Sequence, residues 1–475
     1  MVFSSYVFVA AFLPAVLIIY YLLSKLKSGV YQRLFLIAAS LFFYGYFNPS
    51  YLPIIILSIA VNYCFAIGVQ RGGRAKKPIF IIGVLFNVFL LGYFKYYDFF
   101  IENINAVFGS SFTLRHIVLP LGISFFTFQQ LSFLISVYKG EEKVGQLLDY
   151  SLFISFFPQL VAGPIVLYSE MMPQFKDESR RYFSTENFSA GLYLFAIGLF
   201  KKAYIADTLA VFADNGFGLT GLGFIPAWAT ALSYTLQLYF DFSGYSDMAV
   251  GLGRMFNIDI PFNFDSPFKS QSITEFWRRW NITLGRALGT YIYKPLGGNR
   301  KGRGRTYLNL FATFFISGLW HGAAWTFVIW GCLHGLVTVI ERTMKEHKIA
   351  QNVPSWLRVA VTFVIAVVLF VIFRADGMEQ AGRMYSQMID FAHPGFSQLA
   401  SVVGVGVLNF PAAIDYVYIL GMLAVLLFIV FRAENSKGMY QKFKRTPATA
   451  AFAAVAVAIS LLTLSRQSVF IYFNF

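Results

Sequence analysis

Four clusters of polar residues interrupt an otherwise apolar chain, and each has a spacing that could do chemistry. The first is Leu319-Trp320-His321-Gly322, an imidazole within an almost wholly apolar stretch. A titratable side chain at membrane depth is costly to hold and marks a functional site by default. The second cluster runs from Gln237 to Asp247 and sets two carboxylates, Asp241 and Asp247, at the end of an apolar segment. Gln237, Asp241 and Tyr245 share one helix face at i, i+4 spacing. Unpaired carboxylates there are expensive, so partners are expected: arginines of the following segment or a bound ligand.

The third cluster is Thr274-Glu275-Phe276-Trp277-Arg278-Arg279-Trp280. It predicts an interfacial helix with its rings at headgroup level, and Arg278 and Arg279 on lipid phosphates or on an acidic or phosphorylated donor. The basic loop after it, Gly297 to Arg305, adds Arg300 and Lys301 to that face. It lacks the hydroxyl that a phosphate-binding loop needs after its lysine. The fourth, Lys201-Lys202-Ala203-Tyr204-Ile205-Ala206-Asp207, predicts an ion pair between Asp207 and a lysine, or lysines that snorkel to the surface.

Of the five histidines, His116, His347 and His393 lie at segment ends or in polar loops, while His321 and His334 fall in apolar surroundings. On a straight helix thirteen residues span about 20 Å, so these two cannot share a proton unless the helix breaks. His334 therefore reads as support. For His321 the residues alone leave two roles open, a catalytic group or an interhelical hydrogen bond worth about 1 kcal/mol.

The elements that must position these groups are membrane helices. The chain has 475 residues, 57% hydrophobic and 13% charged, with 55 phenylalanines; its mean hydropathy is +0.61. A soluble domain carries about 25% charged residues, so this chain cannot cover a water-facing surface. The formal charge of +15 sits in short loops between apolar segments. That is the positive-inside pattern of a chain in a lipid bilayer and argues against nucleic acid as a partner. Cys64 and Cys332 give no disulfide framework and no metal spacing, and no metal site is expected.

The expected fold is an all-α polytopic membrane protein of about 10–12 transmembrane helices around a central cavity or tunnel, with short interfacial helices on the inner face. The first span, Tyr6 to Leu23, reads as retained and not as a signal peptide. Others are expected at 79–97, 117–137, 148–167, 190–210, 226–252, 357–373, 416–431 and 448–464. The chain reads as one membrane domain, 1–475, with an inner-face amphipathic part at 254–306. Residues 307–341 carry inner-face charge on both flanks, yet are too few for two full spans of about 20 residues each. They predict a short hairpin that turns near Gly318–Gly322, with His321 at its deep end.

Four motifs occur in order: Phe156-Phe157-Pro158-Gln159-Leu160-Val161-Ala162-Gly163-Pro164-Ile165, Asp241-Phe242-Ser243-Gly244-Tyr245-Ser246-Asp247-Met248-Ala249, Phe276-Trp277-Arg278-Arg279-Trp280 and Gly318-Leu319-Trp320-His321-Gly322. Together they resemble the membrane-bound O-acyltransferase (MBOAT) family, in particular the bacterial branch that O-acetylates alginate and other polysaccharides or peptidoglycan. The resemblance implies that His321 is catalytic and that Asp207 is functionally important. It also implies a cytoplasmic acyl thioester donor, acetyl-CoA or an acyl carrier protein, with no bound cofactor. An extracytoplasmic acetyltransferase partner protein and a place in the bacterial inner membrane follow from it as well.

Where the family reads Arg-Trp-His, this chain has Arg279-Trp280-Asn281, and where an Arg-Asp pair often stands it has Gly289-Thr290. Asparagine hydrogen-bonds but cannot titrate, so His321 stands without a second titrating imidazole at 281. As a neutral imidazole His321 is suited to act as general base, with Trp320 shaping a tunnel; a transient acyl carrier is the other chemical option. D-alanyl transfer towards teichoic acid, by a sibling branch, is the alternative within the family. A polar-substrate transporter or flippase is the alternative outside it, although only one set of interrupted segments is visible.

Overall fold

The computed structural model of the chain describes residues 1–349, 352–403, 412–464 and 470–471. All its elements are helical, and no strand occurs among the described residues. Among the described residues four helices, Pro49–Arg71, Gly73–Phe108, Trp325–Glu346 and Ser355–Arg374, are long and apolar enough to cross a membrane. Four shorter apolar helices, Phe8–Leu23, Val30–Gly45, Val417–Arg432 and Pro447–Thr463, accompany them. Large apolar side chains such as Phe89, Val107, Phe108 and Leu462 face outwards. Water would not tolerate such a surface, whereas acyl chains do.

Two expected spans are shorter than their hydropathy suggested. The helix in the 117–137 stretch begins only at Ile123. Pro120 precedes it, and Gly122 at φ +70° turns the chain into its first residue. The 148–167 stretch holds a helix over Leu147–Ser155 and a single turn over Phe157–Leu160, after which the backbone is not helical. Pro158 and the Gly163-Pro164 pair account for the break, since proline cannot continue a hydrogen-bonded turn.

The contacts group the chain into two compact units. The first comprises residues 1–196, 245–261 and 444–454. In it α1 (Leu52–Arg71), α2 (Lys76–Leu91) and α3 (Ile123–Lys139) pack together around buried amides. Asn87 Nδ2 donates to Asn62 Oδ1 at 2.6 Å, and Ser58 Oγ donates to Gln130 Oε1 at 2.9 Å. Amides bonded across helices in this way join segments that lipid alone gives no reason to associate.

The second unit comprises 197–244, 262–443 and 455–475 and carries most of the polar clusters. Its long helix α4 (Phe224–Met255) changes unit after Gly244. Two short helices follow, α5 (Ile273–Arg279) and α6 (Ile282–Leu288). Ser272 starts α5 by accepting from Glu275 N at 3.1 Å, while Glu275 Oε2 accepts from Gln271 N at 2.9 Å, so the first turn is capped from both sides. Next come α7 (Arg303–His321) and α8 (Trp325–Glu346), which form a tightly packed hairpin, then α9 (Ser355–Arg374) and α10 (Met378–Met388).

Candidate active site

The hairpin places His321. Helix α7 ends on it, Gly322 is extended, and α8 starts three residues later at Trp325. Glycines set how closely the two helices approach. A Cβ on Gly318 would stand 2.4 Å from Phe327 O, and one on Gly331 would stand 2.5 Å from Phe314 O. Neither position has room for a side chain, so both backbones run in contact at the level of the imidazole.

His321 is 4% exposed and lies in an aromatic cage. Its ring centroid is 5.1 Å from Trp320, 5.1 Å from Trp330 at 89°, and 5.3 Å from Phe373 at 78°. Beyond Trp330 sits His334, fully buried, with ring centroids 4.6 Å apart. The break between α7 and α8 therefore brings the two histidines onto a common neighbour, which a straight helix would forbid. Trp277 Nε1 donates to His334 Nδ1 at 3.2 Å, which assigns the remaining proton to Nε2. His334 Nε2 and Trp330 Nε1 are buried donors with no hydrogen-bond partner among the described residues. Buried donors of this kind call for an explanation.

Helix α5 lies against this cage. Phe276 is 1% exposed and Trp280 2% exposed, and their rings stack 5.4 Å apart at 19°. Trp277 packs T-shaped on Trp330 at 5.6 Å, and Thr274 N donates to Glu341 Oε2 of α8 at 3.0 Å. Phe276 and Trp280, expected against lipid headgroups, are instead buried in protein, and Trp277 packs on Trp330. The arginines face elsewhere. Arg278, Arg300 and Lys301 are exposed, and Arg279 pairs with Glu275 at 2.8 Å within its own helix.

Asn281 follows at φ +46°, ψ +54°, buried at the start of α6. This left-handed conformation is unfavourable for most side chains but common for Asn, Asp and His. The turn itself thus explains why asparagine can stand where the family pattern has histidine.

Lys202, Asp207 and Asp241 form a second group. Lys202 Nζ lies 2.7 Å from Asp207 Oδ1 and 2.8 Å from Asp241 Oδ1, with all three side chains at most 3% exposed. Residues five apart on an α-helix point about 140° away from each other. Here Lys201–Ala206 is wound as a π-helix, which brings Lys202 and Asp207 to one side. Asp241 Oδ2 also accepts from Ile471 N at 2.8 Å. The expected arginine partner of Asp241 is therefore corrected to Lys202, 39 positions earlier in the chain. Lys201 turns to Ser436 Oγ at 3.1 Å and the Tyr239 ring at 5.8 Å. Tyr239 in turn lies 6.1 Å from Trp280, which stacks on Phe276 of α5. Asp247 is buried in the first unit.

Sequence reasoning passed over Trp330 and read Trp277 only as a headgroup ring. Trp330 sits four residues before His334 on α8, a spacing that puts the two on one face. Trp277 had no such signal, because nothing in its own segment points to residue 334. Among the described residues no cluster of His, Cys, Asp and Glu could hold a metal ion.

Comparison with known proteins covers the same residues. The MBOAT, membrane-bound O-acyltransferase family model matches residues 141–375, a stretch that includes the whole cage and Lys202, Asp207 and Asp241. A peptidoglycan O-acetyltransferase of Helicobacter pylori is 41% identical across 100% of this chain and 98% of its own length. A probable alginate O-acetylase, AlgI, of Pseudomonas syringae pv. tomato is 42% identical over 86% of this chain and 79% of its own. A teichoic acid D-alanyltransferase of Bacillus subtilis is more distant, 30% identical over 53% of this chain and 68% of its own. With a helical bundle of membrane-crossing segments, a caged imidazole and a relative that matches from end to end, the chain belongs to the membrane-bound O-acyltransferase family and is a multi-pass membrane acyltransferase.

Proposed function

We propose that this acyltransferase moves an acetyl group from a cytoplasmic thioester, acetyl-CoA or an acyl carrier, to a hydroxyl on the outer side of the bacterial inner membrane. The product is the O-acetyl ester of an exported polysaccharide or cell-wall glycan. The observation that carries this reading is His321 at the hairpin turn, an imidazole held by Trp320, Trp330 and Phe373. It stands in a chain that aligns along its full length with a peptidoglycan O-acetyltransferase.

His321 acts as general base. It takes the proton of the acceptor hydroxyl as that oxygen attacks the thioester carbonyl carbon and the new C–O bond forms. The carbonyl oxygen becomes an oxyanion. The buried donors Trp330 Nε1–H and His334 Nε2–H are the groups of the cage that can bond to it. Collapse of the intermediate breaks the C–S bond, and the thiolate leaves as a thiol with the proton held by His321. Trp277 fixes the His334 tautomer, so α5 sets the donor geometry through a hydrogen bond while its exposed Arg278 stays available to an anionic donor headgroup. Exposed Arg300 and Lys301 serve the same purpose.

The acceptor hydroxyl belongs to the glycan or to an extracytoplasmic partner protein that hands the acetyl group on. The test is to supply membranes containing this protein and its candidate partner with acetyl-labelled acetyl-CoA and to locate the label. Label in an alkali-labile ester on partner or glycan is the result expected. Label that stays on CoA would refute acetyl transfer, and transfer of D-alanine from a carrier protein in its place would assign the chain to the sibling activity.

A further inference from the structure

A cavity of about 550 Å3 lies in the second unit, between Gly221–Gly223, α10 and the segment that follows α10. Its walls are built by side chains that clasp backbone. Gln398 Oε1 accepts from Gly223 N at 2.6 Å, and its Nε2 donates to Gly221 O at 3.0 Å. The Gln387 carbonyl, in the amide orientation that satisfies its neighbours, accepts from Gly221 N at 3.0 Å and Leu222 N at 3.2 Å. Phe224 N donates to His393 O at 2.8 Å, which ties the start of α4 to the same segment. Only glycine fits the seam, since a Cβ on Gly223 would stand 2.5 Å from His393 O. The cavity is therefore preformed.

Loop charge gives its side of the membrane. Arg342, Lys345 and Lys348 precede α9, and Arg254 ends α4, so these ends are cytoplasmic. The opposite ends, Arg374 of α9 and Phe224 of α4, lie at the outer face, and there the cavity is found. His321 is at that end too, because its ring touches Phe373, the next-to-last residue of α9.

The lining is mixed in charge and amphipathic. Arg383 has Glu379 as a distant partner at 3.9 Å, and that carboxylate is itself 96% exposed. Ser386 Oγ donates to Arg383 O at 2.7 Å, which leaves its oxygen able to accept. Asp390 pairs with His393 at 2.9 Å. Phe391 and Phe396, exposed next to these groups, offer flat apolar faces. We propose that this outer cavity binds a carboxylate-bearing segment of the glycan, with Arg383 on the carboxylate, Asp390 on sugar hydroxyls and the two phenylalanines against ring faces. It thereby holds the polymer beside the point where the acetyl group emerges. The volume falls in the range of about 300–1,000 Å3 usual for small-ligand sites, and a concave polar cleft suits a sugar better than the flatter, apolar-centred patch of a protein interface. This inference rests on the glycan reading given above.

The test uses the full chain in lipid nanodiscs with three probes: a mannuronate hexasaccharide, a tetrasaccharide of alternating N-acetylglucosamine and N-acetylmuramic acid, and a neutral chitin hexasaccharide. At least one acidic probe should bind saturably, and the neutral one about tenfold more weakly or worse. Arg383→Ala should weaken acidic binding about tenfold or more, the loss of one charge-assisted contact, while Arg383→Lys keeps part of it. Which acidic probe binds identifies the source of the carboxylate. Equal binding of neutral and acidic probes, or no effect of Arg383→Ala, would overturn the proposal. So would an Arg383→Ala variant that holds acidic sugar normally but loses a partner protein. His321→Ala should leave sugar binding intact. If wild-type protein transfers acetyl groups and binds none of the probes, this inference fails while the transfer reading stands.

Discussion

Removing Lys202 tests whether the buried ion cluster is structural, against the resemblance-based expectation that Asp207 takes part in function. The cluster holds one cation between two carboxylates, at 2.7 and 2.8 Å, with side chains 3% and 1% exposed. Lys202→Met keeps most of the volume and leaves two buried carboxylates facing each other with no cation. Stranding buried charge in this way costs about 3–5 kcal/mol, or two to nearly four decades in an unfolding equilibrium at about 1.4 kcal/mol per decade. Asp207→Asn removes one carboxylate and leaves the neutral pair Lys202–Asp241, so it should cost far less. The triple variant Lys202→Met, Asp207→Asn, Asp241→Asn carries no charge and should recover most of the loss, since a neutral replacement of a buried ion cluster is often tolerated. The assay is denaturant unfolding in bicelles, run in parallel with acetyl transfer. The order predicted is Lys202→Met worst, Asp207→Asn mild and the triple variant close to wild type in both. An Asp207→Asn protein that unfolds normally but transfers nothing, with no recovery in the triple variant, would refute the structural assignment and put Asp207 in the chemistry.

Three further outcomes follow from the cage. Trp277→Phe keeps an aromatic ring but strands His334 Nδ1 without its donor, at a cost of about 1–3 kcal/mol in stability; with the Nε2 proton no longer fixed kcat should fall with little change in KM, and an unchanged kcat would separate α5 from the cage. Gly331→Ala forces a methyl group to within 2.5 Å of Phe314 O, and the overpacking should cost about 1–3 kcal/mol, read as a lower unfolding temperature together with lost activity. Asn281→Ala places an unfavourable side chain at φ +46° and should cost about 1–2 kcal/mol; Asn281→Gly and Asn281→His should be tolerated better in thermal unfolding, and equal stability of all three would deny the backbone account.

Much of the helical framework was legible, because apolar runs and loop charge report lipid directly. The span expected at 357–373 is the helix Ser355–Arg374, and the one expected at 448–464 is Pro447–Thr463. Hydropathy failed where backbone chemistry overrode it, at Pro120-Leu121-Gly122 and at Phe156–Pro164, since apolar side chains do not make a proline helical. The site was half legible. His321 stood out as a costly residue between glycines. Its neighbours did not, because Trp330 and Phe373 read as ordinary membrane aromatics until the packing of α8 and α9 brings them to its ring, and Trp277 until α5 brings it to His334. Lys202 and Asp207 were readable as a pair, while Asp241 was not, for a contact across 39 positions leaves no local signal. The aromatics of α5 misled for a related reason: their spacing with arginine suits rings against lipid headgroups, but Phe276 and Trp280 are buried against protein.

The central claim is that His321 is the base for acyl transfer, and one measurement addresses it most directly. Wild-type and His321→Ala proteins, purified at full length into nanodiscs, are compared for transfer of labelled acetyl from acetyl-CoA to the extracytoplasmic acceptor, with unfolding temperature recorded for both. A general base contributes about 10²–10⁴ in rate, so transfer by His321→Ala should fall by at least about a hundredfold while the unfolding temperature stays close to that of wild type. Transfer at the wild-type rate by a folded His321→Ala protein would contradict the account.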